Sequence, residues 1–436
     1  MRFATTIAAA LFASFAVAHK GTGHDVVPVG PHKNGKICTV RALGNQTDDT
    51  PQILKAFEAC NHGGTVVFPK GQNYWIATRL NPVLYDVTIQ WEGIWTMSDN
   101  LTYWRNNSYP IFFQNHHAGF VISGDRIHID GSGGGGIHGN GNAWYNAEQK
   151  VTQPGRPMPF VFWNTSEVFV EHFFVKDSPL WALNIMNGTN MWFDDINCNS
   201  TALKAPWGTN WVQNTDGFDT MDANNIKLTN MFYQGGDDCI AIKPRSYNVF
   251  VQNITCHGGN GIAIGSLGQY LEDSSAVNVT VKDAKILTYN LDMQDGAYIK
   301  TWVGALVPQS SYESAGQPRG GGWGIVENIT FENFYIEGAN IGMAISQNSG
   351  DNGSYAGTSK MLVSNVLFKN FTGYEYGAKG NRTASITCSK VNPCHDIVFE
   401  DIHLAYSQNA TATNATGTCT YNAVGGVVGM KGSGCS

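Results

Sequence analysis

Asn225-Ile226-Lys227-Leu228-Thr229-Asn230 is answered 23 residues later by Asn248-Val249-Phe250-Val251-Gln252-Asn253. Apolar side chains alternate in both, and Asn closes both ends. The phrase returns around Asn190-Met191-Trp192-Phe193-Asp194, Asn278-Val279-Thr280-Val281-Lys282 and Asn328-Ile329-Thr330-Phe331-Glu332-Asn333, and again from Asn365 and Asp396, with Val168-Phe169-Val170-Glu171 an earlier form. Alternation with period two describes a strand that buries one face. A fixed phrase at a period in the twenties describes a coil of a parallel solenoid, because one coil cannot bury its inward face alone and needs a neighbour. A β-sandwich would alternate without repeating the phrase. The fold class expected is therefore all-β, a parallel β-helix.

The rest of the chain fits that frame. Gly is abundant (50 residues) and charge is scarce at 14%, a poor recipe for helices. One segment reads as helix, Asp49 to Cys60, with Thr50 as N-cap, Pro51 at the first helical position, and Ile53, Leu54, Phe57 and Cys60 on one face. It is expected to cap the amino-terminal end of the core within about residues 36–70. Residues 1–18 read as a secretory leader: Arg2, an apolar run to Val17, and Ala16-Val17-Ala18 before the cut. That leaves residues 19–436 as one β-helix unit in a secreted, extracellular chain. Sequons such as Asn45, Asn187, Asn253, Asn328 and Asn381 agree. So does a framework of four short-range disulfides, Cys38–Cys60, Cys239–Cys256, Cys388–Cys394 and Cys419–Cys435, which leaves Cys198 as a buried thiol. A net charge of −7 argues against nucleic acid as a partner. The apolar run at the start is too short for a membrane span.

Three aspartates carry the chemistry. Asp216 lies in Asn214-Thr215-Asp216-Gly217, and Asp237 and Asp238 lie in Gly236-Asp237-Asp238-Cys239, about one coil later. Stacked on one wall they would sit one strand spacing, about 4.8 Å, apart. Carboxylates that close cannot all ionise freely, so one retains a proton for acid catalysis, as glycosidic-bond hydrolysis requires. Enlarged connections at 202–213, 267–276 and 303–324 flank these coils and mark the face of a binding site.

With these motifs in order, the chain resembles glycoside hydrolase family 28, the polygalacturonases and rhamnogalacturonases. Asn214-Thr215-Asp216 and Gly236-Asp237-Asp238 match intact. Gly259-Asn260-Gly261 has Asn where the family has His, and Tyr298-Ile299-Lys300 has Tyr where it has Arg. Ser178-Pro179-Leu180-Trp181 and Gly139-Asn140-Gly141-Asn142-Ala143-Trp144 support the match. The resemblance implies a right-handed β-helix, with Asp237 as proton donor and Asp216 and Asp238 activating water for inversion. It places Asn214, Asn260, Tyr298 and Lys300 on the substrate, with Lys300 gripping a uronate carboxylate. Lys243, Arg245 and Arg319 are further basic candidates, whereas Asp219 reads as structural and His257 as outside the site.

Gly265-Ser266-Leu267-Gly268-Gln269-Tyr270 and the enlarged loops resemble the exo-acting members. The expected activity is removal of terminal galacturonic acid from the non-reducing end of polygalacturonate. An exo-hydrolase of rhamnogalacturonan or xylogalacturonan is the alternative that Tyr298 raises, and a non-catalytic pectin-binding solenoid is the alternative of a different class. The partner implied is a pectic polysaccharide; no cofactor, metal or membrane is expected, and the chain is expected to be a monomer.

Overall fold

The computed structural model describes residues 35–289 and 293–435, so the leader proposed for residues 1–18 lies outside the described part. Parallel pairing runs coil after coil. The long strands Val121–His138, Phe160–Lys176, Leu183–Asn199, Phe218–Gln234, Ser246–His257, Ala276–Leu287, Trp323–Ala339, Lys360–Glu375 and His395–Ala405 follow one another. A second track of shorter strands, Ile240–Ile242, Ile262–Leu267, Asp295–Trp302, Ile341–Ser349, Ala384–Thr387 and Thr416–Thr420, continues from Phe218–Thr220. The chain is a parallel β-helix.

The repeated phrase is what stacks. Val168, Met191, Ile226, Val249, Val279, Ile329, Val366 and Ile397 are successive partners on one inward row. Val170, Phe193, Leu228, Val251, Val281, Phe331, Phe368 and Phe399 form the next. All belong to one core running from Val40 to Cys435. Asn at the ends of each phrase makes the corners: Asn225, Asn248, Asn278, Asn328 and Asn365 all have φ between 52° and 60°. Asn tolerates that left-handed conformation better than other residues with a Cβ. Its amide then bonds to the next coil. Asn278 donates to Asn248 at 3.0 Å and Asn328 to Asn278 at 2.9 Å, while the far corner runs Asn370 to Asn333 at 2.9 Å and Asn333 to Asp283 at 2.8 Å.

At the amino-terminal end the helix Thr50–Cys60 packs Ile53, Phe57 and Cys60 onto an aromatic group that includes Phe68 and Trp95. The N-cap is Asp49, not Thr50, and it makes no side-chain cap bond. Its carboxylate is committed to Leu43 N, Trp75 N and Gln52 Nε2 instead, which ties the helix to the first coils. The sequence reading also missed two further helices, Leu101–Asn107 and Gly141–Glu148. The second begins in Gly and Asn, and tertiary packing of Trp144 and Tyr145 overrides their weak propensity. All four expected disulfides are present, and Cys198 is a buried free thiol. Among the described residues no helix is long and apolar enough to cross a membrane.

The ladder gives a stability test at Asn333 (φ 60°), which donates to one neighbour and accepts from the other. Asn333→Gly should lose both bonds but keep the backbone relaxed, whereas Asn333→Val should lose the bonds and strain the corner. Thermal melts should rank wild type above Gly and Gly above Val, the last step costing about 1–2 kcal/mol. A valine variant as stable as the glycine one would remove the backbone argument.

Candidate active site

The register that stacks the core also assembles the carboxylates. Phe218 pairs with Ile240, and Ile240 with Ile262. Asp216, Asp238 and Asn260 each stand two residues before one of these partners, so they are equivalents on neighbouring coils. Asp216, Asp237 and Asp238 each bring an oxygen within 4.8 Å of the others. Cys239–Cys256 clamps the residue after Asp238 to the strand Ser246–His257.

Each aspartate has a different environment. Asp237 collects four N–H donors: Asn214 N and Nδ2 on Oδ2 at 3.1 and 3.2 Å, and Asn260 Nδ2 and Asp238 N on Oδ1, both at 2.9 Å. Such donors favour the charged carboxylate, yet burial and the neighbouring Asp238 charge outweigh them and leave its pKa raised. The Asn that replaces the family His is thus a non-titrating donor to Asp237. Asn214 is braced in turn, its Oδ1 accepting from Arg156 Nη2 at 2.6 Å.

Asp238, 1% exposed, is held by Lys300 and Tyr298. Lys300 Nζ lies 2.7 Å from its Oδ2 and 2.8 Å from the Tyr298 hydroxyl, which itself donates to Asp238 Oδ1. Tyr298 reaches that far because its register partner is Ala263, and the partner beyond is Ala241. Both are fully buried beside the ring, and two methyl groups leave room for it to lean across two coils. Burial, with Asp238 beside it, keeps the phenol pKa far above its ordinary value, so the hydroxyl stays a donor. An ammonium has three N–H groups, and these contacts leave one of Lys300's for a substrate.

Asp216 is 2% exposed, with Oδ1 lacking a hydrogen-bond partner and Oδ2 at 3.5 Å from Lys243 Nζ. Lys243 is shared with Asp219 Oδ1, also at 3.5 Å, and lies 4.1 Å from the centre of the Trp181 ring. Burial raises Asp216 well above the usual carboxylate range, Asp219 and Asp237 add to this, and Lys243 opposes it. Asp219 is pushed up to about 7, chiefly by burial, against the pull of Lys243. Burial would lower Lys243, but Asp219 and Asp216 reverse that and hold it charged. Four carboxylates here face two ammonium groups, so the set retains protons that isolated aspartates would release. Asp219, read from sequence as structural, belongs electrostatically to the site.

Beside Lys243 the loops build a wall. Residues 113–118, which no sequence signal singled out, cross toward the enlarged loops. Gln114 N donates to the Tyr270 hydroxyl at 2.9 Å, Gln114 Nε2 to Gln269 at 3.1 Å, and Asn115 Nδ2 to Tyr312 O at 3.2 Å. The wall stands on Trp181: His116 meets that ring edge-on at 4.5 Å and Phe113 lies 6.3 Å from it. His116 is 2% exposed. Burial and the nearby Arg156 and Lys243 push its pKa well below the ordinary value, so it is neutral. Arg319, over Trp302 at 4.7 Å, is also buried, and its charge adds to the lowering of His116. Arg245 is spent on Asp222 and Glu272, and His257 bonds to Gln234.

Among the described residues, two groups of potential ligands are close enough to hold a cation, Asp216–Asp237–Asp238 and Asp130–Glu171–His172. Lys243 and Lys300 already supply positive charge to the first, and His172 lies 3.1 Å from Asp130 in the second.

The Tyr298 contact predicts a split in kinetics. Removing a hydrogen bond to a charged group costs roughly 1.5–3 kcal/mol, so Tyr298→Phe should lower kcat by about 10- to 100-fold. Because the hydroxyl faces Asp238, KM should move less than about threefold. A raised KM with kcat intact would put the hydroxyl on the substrate instead.

Known proteins resemble this chain in sequence and in fold. Residues 62–424 match the profile of the glycosyl hydrolases family 28. A putative galacturan 1,4-alpha-galacturonidase C of Aspergillus niger is 65% identical, over 92% of this chain and 94% of that one. An exopolygalacturonase of Cochliobolus carbonum is 33% identical, over 89% and 85%. In fold, the chain is similar to the endo-xylogalacturonan hydrolase of Aspergillus tubingensis, with a TM-score of 0.77 at 24% identity, covering 92% of this chain and 100% of that one. With its carboxylates on one wall and its profile matched from the first coils to the last, the chain belongs to glycosyl hydrolases family 28.

Proposed function

We propose that this chain is a secreted exo-hydrolase that releases galacturonic acid from the non-reducing end of polygalacturonate, acting as a monomer. The observation that carries the exo assignment is the wall on Trp181. It stands one side chain away from Lys243, the partner of Asp216, and in this reading it closes that end of the substrate path so that a chain end is taken. Relatives named galacturan 1,4-alpha-galacturonidase and exopolygalacturonase support the same reading.

In this mechanism Asp237 gives its proton to the glycosidic oxygen as the bond from C1 breaks. Its four N–H donors are already placed for the carboxylate that remains, so they strengthen as the proton leaves and favour the transition state. Water attacks C1 from the opposite face, and its proton passes to Asp238 or Asp216. Lys300 has a donor to spare for a uronate carboxylate. Carboxyl pairs that work by inversion usually stand roughly 6.5–9.5 Å apart, and the closest oxygens here are tighter, within 4.8 Å. Stereochemistry is therefore a demanding check. The alternative, exo-attack on rhamnogalacturonan or xylogalacturonan, draws on Tyr298 occupying the family's Arg position and turning inward to Asp238.

Polygalacturonate digestion should yield monomeric galacturonic acid with little early loss of viscosity. Mixed oligomers and a rapid viscosity fall would mean internal cutting, and faster turnover of rhamnogalacturonan would favour the alternative. NMR of the first-formed sugar should show the inverted, β anomer; an α anomer would replace single displacement by a covalent intermediate. Asp237→Asn should lose about 10²–10⁴-fold in kcat with an unchanged melt, whereas activity within threefold of wild type would move the proton donor elsewhere.

A further inference from the structure

Beside the wall lies a groove of about 510 Å³. Phe113 and Tyr270, which build the wall, line one side of it, and none of Asp216, Asp219, Asp237 or Asp238 borders it. Two of its apolar side chains are held out in solvent, Phe112 at 90% exposure and Leu271 at 64%, and Trp163 is half-buried between coils. A large aromatic so fully exposed beside a concave surface marks a contact waiting for a partner.

The polar groups of the groove say which partner. Asp222 and Glu272 face it with Arg245 between them. Arg245 is already spent: it forks onto Asp222, reaches Glu272 at 3.3 Å, and donates to Asp273 O at 2.8 Å. Two carboxylates against one committed guanidinium leave net negative charge, which repels a uronate. A purely apolar partner would bury the lone pairs that Arg245 leaves over without donors, which is costly. An uncharged sugar suits both halves. Its C–H face carries partial positive charge toward an aromatic ring, and its hydroxyls donate to the free lone pairs of the carboxylates.

We propose that this groove is a second carbohydrate site that takes uncharged pyranosyl residues, separate from the catalytic cleft. It would hold the enzyme on neutral portions of a pectic polysaccharide while a galacturonan end is processed next door. The site stands on its own observations, and binding is measured without turnover.

The test uses full-length Asp237→Asn protein titrated by calorimetry with β-1,4-galactotetraose and, separately, with tetragalacturonate. Galactotetraose should bind, and adding Phe112→Ala should weaken it about tenfold, a factor equal to 1.4 kcal/mol, with tetragalacturonate affinity unchanged. Phe112→Ala in the otherwise wild-type chain should hydrolyse digalacturonate within twofold of normal. Phe112 is exposed enough that folding is not at risk, and Leu271→Ser serves as the second variant. Galactotetraose affinity indifferent to both variants, or its displacement by tetragalacturonate, would overturn the proposal. So would concentration-dependent dimerisation that Phe112→Ala abolishes, since the patch would then be a self-contact. Failure of wild type to release galacturonic acid would overturn the proposed function and leave this binding result standing.

Discussion

Everything at the catalytic wall depends on parallel register, and register here rests on asparagine. Each coil turns through residues near φ +55°, a conformation that costs most side chains about 1–2 kcal/mol. Asn tolerates it, and the same amide then bonds to the coil on either side. A slip of one residue would break both ladders and turn every inward apolar residue to solvent. It would also turn Asp219 and Tyr298 into the core. Ladder and active site are therefore one constraint seen at opposite edges of the sheet.

That rigidity is what lets an electrostatically unfavourable cluster persist. Four carboxylates crowd against Lys243 and Lys300 in a site that excludes most water. In a flexible chain the aspartates would separate. Held by stacked strands and the Cys239–Cys256 bridge, they respond by keeping protons, as the raised values of Asp216, Asp219 and Asp237 record. The environments then divide the labour. Asp238 is gripped by an ammonium and a phenol, while Asp237 has neutral donors only.

Much of this was legible in the residues. The repeated phrase predicted the stacked rows, cysteine spacing predicted the bridges, and the motif order brought the three aspartates together. What escaped was whatever depends on side-chain direction across coils. Tyr298 reads as an Arg lost from a substrate contact, and only the alanines at Ala241 and Ala263 reveal that the ring lies down toward Asp238. Lys243 reads as one basic residue among several until Trp181 and two aspartates are seen around it. The wall at 113–118 carries no repeat and no motif, and its position follows from hydrogen bonds to residues some 155 to 197 positions away. The helix Gly141–Glu148 was invisible because its packing, not its composition, makes it a helix.

Trp181 joins the two halves of the proposed activity. One side of its environment is the wall, through His116 and Phe113; another is Lys243, the counter-ion of Asp216 and Asp219. Chain-end selection and carboxylate charge are thus anchored to the same ring. A change that loosens the wall also releases Lys243 from the indole face, and the proton inventory of the aspartates shifts with it. Conversion of such a site from end-release to internal cutting therefore cannot proceed by trimming the wall alone. It needs a replacement support for Lys243, because the indole that carries the wall also fixes the cation that balances the acid.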